Sequence, residues 1–147
     1  MKKIGKIIIL TGIVLITFFI FYKNTSRIVL GTFLEVPENL MDSGCTFYWS
    51  QEDSVNKKYA FVSTFGSNKD LTPNALIVIN NNPEKLNETN SGSNNLYKYS
   101  NSKFDVVIKI TSSIPSGNEG SSEKGILTVE DKSGKSTSKE VTGYCGT

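Results

Sequence analysis

The stretch that most restricts this chain is Ile4 to Tyr22, a nearly unbroken apolar run with Lys2, Lys3 and Lys6 at its start and Lys23 and Arg27 beyond its end. Wound as a helix at about 1.5 Å per residue it reaches roughly 28 Å, close to the hydrocarbon thickness of a bilayer. A cleavable secretory signal has a shorter apolar core and a small-x-small cleavage site. Here Val29-Leu30-Gly31 is the only tolerable triplet, and it lies beyond two positive charges. No lipobox precedes Cys45, whose upstream neighbours are Asp42-Ser43-Gly44. The reading is an uncleaved signal anchor over residues 1–27, a single-pass transmembrane helix of the cytoplasmic membrane. Its alternatives are secretion after signal cleavage and a buried soluble helix. More positive charge precedes the run than follows it, which puts the N-terminus in the cytoplasm and the C-terminal body outside. The bilayer is then the partner of residues 4–22.

What remains after the anchor has the length of one small domain. Residues 28–43 read as a connector with a possible first strand at Ile28 to Val36, closed by Pro37, and residues 44–147 as an extracytoplasmic β-domain. From Ile28 onward eleven basic residues face fourteen acidic ones. A clustered positive surface for phosphates is therefore missing, and nucleic acid is not an expected partner. The only two cysteines, Cys45 and Cys145, lie in the exported body, where an even count predicts a disulfide. Such a bond closes a loop of about 100 residues and stabilises by about 4–5 kcal/mol in the chain-entropy model.

The body reads as strands. Cys45, Phe47 and Trp49 share one parity and so one face. Gln51 to Asn56 reads as a turn, and Lys57 to Phe65 is aromatic and β-branched. Ala75 to Ile79 is continuously apolar, the pattern of a strand covered on both faces. From Asn80 to Ser102 eight of twenty-three residues are Asn, which predicts a long irregular connection with one short strand near Leu96 to Tyr99. Lys103 to Thr111 alternates cleanly. Ser112 to Lys124 reads as a second polar loop. Gly125 to Asp131 and Lys135 to Tyr144 flank a hairpin turn at Lys132-Ser133-Gly134. The expected fold is mainly β: a small antiparallel sandwich or partly open barrel of six to eight strands with one disulfide.

Chemistry is sparse. Gly134-Lys135-Ser136-Thr137 imitates the end of a phosphate-binding loop, but Val129 stands where that motif needs glycine. Asn24-Thr25-Ser26 and Asn87-Glu88-Thr89 match glycosylation sequons, as chance allows in so Asn-rich a chain. Without a single histidine, imidazole-based zinc and iron sites are excluded, and a serine nucleophile lacks its usual base. Ser100 to Lys103 spells Ser-x-x-Lys outside any helical context. The adjacent pairs Glu52-Asp53 and Glu130-Asp131 point to opposite faces of a strand and read as solvated charge. No catalytic residue, metal site or cofactor is expected, and the protein is read as a non-enzyme.

Two resemblances follow from these residues. The basic leader, apolar run, β-rich body and Cys145 resemble the layout of type IV pilins and pseudopilins, but Lys6 after Gly5, and Leu10 where that family carries Glu, depart from its processing motif. Ser43-Gly44-Cys45, the strands Tyr59 to Gly66 and Ala75 to Ile79, and Gly143-Tyr144-Cys145-Gly146 resemble small exported or membrane-anchored bacterial β-domain proteins of unknown function. That resemblance implies a fold and a location. The functional expectation is a membrane-anchored binding module with a protein partner at the envelope, an inhibitor or immunity-type protein being one form. The alternatives are a structural subunit of a membrane or envelope assembly, a pseudopilin-like protein and a histidine-free hydrolase. Loops on a rigid scaffold carry binding, so the candidate contacts are Asn82, Glu84, Asn87, Asn95, Tyr97 and Tyr99 in the first loop and Asn118 and Glu119 in the second.

Overall fold

The computed structural model describes residues 27–40, 44–65, 73–93, 95–117 and 119–146. The apolar run of residues 4–22 lies outside them. Among the described residues no helix is long and apolar enough to cross a membrane.

Eight strands run antiparallel, each to its neighbour in sequence, and the last closes on the first: β1 (Gly44–Tyr48), β2 (Phe61–Thr64), β3 (Ala75–Ile79), β4 (Asn82–Ser93), β5 (Leu96–Ser100), β6 (Phe104–Pro115), β7 (Gly120–Asp131) and β8 (Ser136–Gly146). The fold is thus mainly β, as expected, and of the two expected forms it is the barrel rather than the sandwich, closed rather than partly open. Closure leaves no exposed sheet edge along the seam. β1 meets β8 from Gly44↔Gly146 to Tyr48↔Thr142, and the pair Cys45↔Cys145 is bonded across that seam. The strands approach closely there: a Cβ at Gly143 would fall on the Thr46 carbonyl and the Phe47 ring.

Alternate residues of each strand point inward. Phe47, Phe61, Ile77, Ile79, Leu86, Val106, Ile108, Leu127 and Val129 fill the interior with essentially no exposure. An eight-stranded barrel is about wide enough to be filled this way or to hold one small ligand. β3 is covered outside as well, which explains its unbroken apolar run. Residues 27–40 run up its flank, Phe33 and Val36 pack on Val62, Leu76 and Leu40, and a 3-10 turn forms at Glu38–Leu40. This connector makes only the isolated bridges Leu30↔Ile79 and Phe33↔Tyr59, not the expected strand.

Three further expectations are corrected. Gln51–Val55 is a short helix, α1, whose N-cap Ser50 accepts from the Asp53 amide. Asn80 to Ser102 is no irregular loop but holds all of β4 and β5, and β5 is the short strand expected near Leu96 to Tyr99. Asn80 (φ 53°) and Asn81 (φ 64°) form the two-residue turn that starts β4, since Asn tolerates the left-handed region that such hairpin turns require. Ser112 to Lys124 is likewise mostly strand, β6 running to Pro115 and β7 beginning at Gly120, with a register shift between Ile110 and Ser112. The expected hairpin at Lys132-Ser133-Gly134 is present, with Gly134 at φ 86° and the Asp131 carboxylate accepting from the Ser133 hydroxyl and from the Ser133 and Lys135 amides.

Candidate functional site

The barrel has two unlike ends. The entry end carries the β1–β2, β3–β4, β5–β6 and β7–β8 connections, and the described chain begins there, with the Val29 amide donating to Asn80 Oδ1. The far end carries the other three connections and the disulfide. At the far end β6 runs on past β5, whose first residue Leu96 pairs with Lys109, and continues to Pro115 paired with Ser121, while β8 keeps level with β7 to Gly120↔Gly146.

Toward the far end the inward positions change from hydrocarbon to polar groups. On β5 the inward residues are Tyr97 and Tyr99; on β4, Glu88; on β2, Ser63; on β7, Ser121 and Glu123. The Tyr99 hydroxyl donates to Ser63 Oγ at 3.0 Å, deep in the barrel, with its ring 4.9 Å from that of Phe61. Glu123 is only 5% exposed. Its Oε1 accepts from Ser113 Oγ at 2.8 Å and from Ser121 Oγ. Its Oε2 is buried and has no hydrogen-bond partner among the described residues. Such an atom forfeits hydration without compensation, at a cost of about 1–3 kcal/mol or more.

The ionisable groups at the described inward positions of this end are Glu88, Glu123, Tyr97 and Tyr99. Burial, then the charges of Glu123 and Glu88, push the Tyr97 hydroxyl above its ordinary pKa. Burial drives Tyr99 up strongly, opposed by its bond to Ser63 and helped by Glu88 and Tyr97. Burial also raises Glu88. No lysine or arginine occupies a described inward position of this half. No group of three or more Asp, Glu, His or Cys residues converges among the described residues, so the cluster is not a preformed metal cage.

The expected site residues divide. Tyr97 and Tyr99 are brought together here, on a strand and facing inward. Glu84 also faces inward but at the entry end, where Lys103 Nζ donates to it at 2.8 Å and Asn101 Nδ2 at 3.1 Å. Asn82 and Asn87 are exposed strand residues, and Asn82 Nδ2 donates to the Asn80 carbonyl. Asn95 stays in a turn, its carbonyl accepting from the Ile110 amide, and Glu119 is exposed in the β6–β7 turn. Asn118 lies outside the described residues. Glu88, Glu123, Ser63, Ser113 and Ser121 were not singled out. Parity counted back along β7 from Val129 and Leu127 reaches Glu123 and was the available signal.

A concavity of about 460 Å³ lies on the outer flank of β7 and β8, lined by Trp49, Thr111, Lys124, Ile126, Glu140 and Thr142 among others. Trp49 is already engaged by its own chain. Its indole N–H donates to the Gly31 carbonyl at 2.8 Å, and Lys139 Nζ stands 4.7 Å from the ring centre. This groove gathers no buried unpartnered group, so the far-end mouth is the stronger candidate. No family model, curated protein or solved structure matches the chain.

Proposed function

We propose that the protein is a membrane-tethered, extracytoplasmic binding module that takes its ligand at the far-end mouth of the barrel. One observation carries this reading: the inward positions at the far end are tyrosines and carboxylates, and one carboxylate, Glu123, is incompletely hydrogen-bonded among the described residues. Proteins remove such groups from cores unless they serve a purpose, because satisfied or apolar alternatives are more stable.

The tether is supported by the length and flanking charges of residues 4–22 and by the disulfide, which suits an oxidising compartment. It is also supported by the position of the only tolerable cleavage triplet. Gly31 is built into the barrel wall, its amide donating to the Val78 carbonyl and its carbonyl accepting the Trp49 indole, while Ile28 and Leu30 pack on the inner core. Cleavage after Gly31 would strip those contacts. That the described chain begins at the entry end supports a mouth held on the side away from the bilayer. An inhibitor or immunity-type role at the envelope is the form of binding that this layout suits.

The test is photo-crosslinking in the native membrane from two exposed positions, Asn95 on the far rim and Ser133 at the entry end. Adducts from position 95 that are absent from position 133 are expected. The reverse pattern, or no adduct from either position, would sink the proposal.

A further inference from the structure

We infer that the turn ending α1 is a second point of attachment to the bilayer, with Val55 set into the lipid headgroup layer and Lys57 and Lys58 against lipid phosphates. The inference rests on the membrane-tether reading and adds a surface through which the barrel itself meets the membrane.

The place of the turn comes first. In the sequence four residues, 23–26, separate the apolar run from Arg27, so the step from Tyr22 to Arg27 spans about 18 Å at full extension. The described chain then enters at the end of the barrel that carries α1, and α1 is fastened to it on both sides. Before the helix the Trp49 indole donates to the Gly31 carbonyl, and after it Tyr59 exchanges two backbone hydrogen bonds with Phe33. The turn is thus held beside the segment that leads from the apolar run. Exposed hydrocarbon collects on these two pieces of chain: Val55 is 74% exposed, and Val29 and Leu34 on the adjoining segment are also exposed. The backbone supplies an independent observation. α1 ends in a Schellman motif, with the Lys58 amide donating to the Asp53 carbonyl and the Lys57 amide to the Ser54 carbonyl. The left-handed position of that motif is usually glycine, because a Cβ is strained there. Here it is Lys57, at φ 53°. A lysine kept against that cost, with another after it and an exposed valine two residues before it, points to a use for the ammonium groups at this tip. A bilayer interface takes both kinds of group: the apolar side chain enters the headgroup layer while the long lysine stems reach the phosphates. The acidic neighbours are Glu35, after Leu34, and Glu52 and Asp53, in the first turn of α1 at the helix end opposite Lys57. The contact therefore rests on Val55 and the two lysines beside it, and not on net charge.

Cys45 and Cys145 are bonded to each other, so Val55→Cys gives the full chain one free thiol for a nitroxide label, and Asn95→Cys gives a control at the far end. Each labelled chain is reconstituted in nanodiscs of equal parts phosphatidylcholine and phosphatidylglycerol. Electron paramagnetic resonance then reads collisions of the label with oxygen, which concentrates in lipid, and with a water-soluble nickel chelate. The label at position 55 is expected to meet oxygen more often, and nickel several-fold less often, than the label at position 95. Adding Lys57→Gly should cut the lipid contact about fivefold. Its melting temperature should stay unchanged or rise, since glycine relieves the left-handed backbone, so the lost contact is not a lost fold. Equal access at the two positions, shielding of position 55 from both probes as by a second copy of the chain, or undiminished lipid contact in Lys57→Gly would overturn the inference. Alkaline carbonate extraction of the unlabelled chain from its native membrane separates this from the tether. Release of the chain would sink the tether, whereas a chain that resists extraction while its position-55 label meets water freely leaves the tether standing and the docking overturned.

Discussion

Glu84 and Glu123 hold matching posts at opposite ends of one barrel, each pointing inward and each almost removed from water, and the difference lies in what the chain provides for them. At the entry end Lys103 and Asn101 complete the coordination of Glu84 from the β5–β6 turn. At the far end two serines attend one oxygen of Glu123 and nothing described attends the other. The first arrangement has the form of an internal closure, a plug made by the chain for itself. The second is left incomplete by the described residues. The same side chain in the same fold is therefore structural where its donors are internal and a candidate for recognition where they are not.

The two ends also differ in what holds them together, and the largest expected effect exploits that. The disulfide lies at the far end, on the short β1–β8 seam. Replacing both cysteines by serine should cost about 4–5 kcal/mol. Hydrogen exchange should then accelerate first in β1, β8 and the start of β7, while the amides around Ile77, Glu84 and Leu127 keep more of their protection. Equal loss at both ends would mean that the barrel opens as one unit, and the contrast in construction would carry no contrast in stability.

A smaller effect differs in sign between the two glutamates. Glu84→Gln removes the charge that Lys103 answers, and since Lys103 is 65% exposed the loss should be modest, about 1 kcal/mol or less. Glu123→Gln removes a poorly partnered buried charge and should leave stability unchanged or raise it by up to about 1 kcal/mol. Chemical denaturation of the two variants measures both. A destabilised Glu123→Gln protein would show that the carboxylate is structural after all. Tyr99→Phe, which removes the 3.0 Å hydrogen bond to Ser63 without changing the ring, should cost about 1 kcal/mol and provides a scale for the other two.

The contrast between the ends also explains what could be read from the chain. Phe104, Val106, Ile108 and Ile110 alternate cleanly and predict β6, and Ala75 to Ile79 predicts a doubly covered strand because both of its faces meet hydrocarbon. β4 was illegible because its inward positions are Glu84, Leu86 and Glu88: with two carboxylates facing the core, no apolar alternation exists to be seen. The run of Asn then suggested a loop, although Asn80-Asn81 is a strong turn and Asn82 and Asn87 beyond it occupy exposed strand positions. The far part of β6 and β7 was missed for the same reason, since Ser113, Ser121 and Glu123 are polar residues at inward positions. Closure was legible only indirectly. The cysteine pair tied the first strand to the last, but neither cysteine reveals that the strands between them form an unbroken meander.

The smallest effect is in the pH dependence, where the two ends oppose each other. Burial holds the Glu88 pKa above its unfolded value, so the folded state keeps that proton more tightly than the unfolded chain does. Its contribution is therefore greatest below the unfolded carboxylate range and is lost as pH rises through the raised folded value. At the entry end the hydroxyl of Ser133 and then the amide of Lys135 hold the Asp131 pKa down. Its contribution is present above the unfolded range and is lost as pH falls through the depressed folded value. Between about pH 3 and 6, Glu88→Gln should steepen the decline of melting temperature on acidification, because the group that favours acid is gone. Asp131→Asn should flatten it.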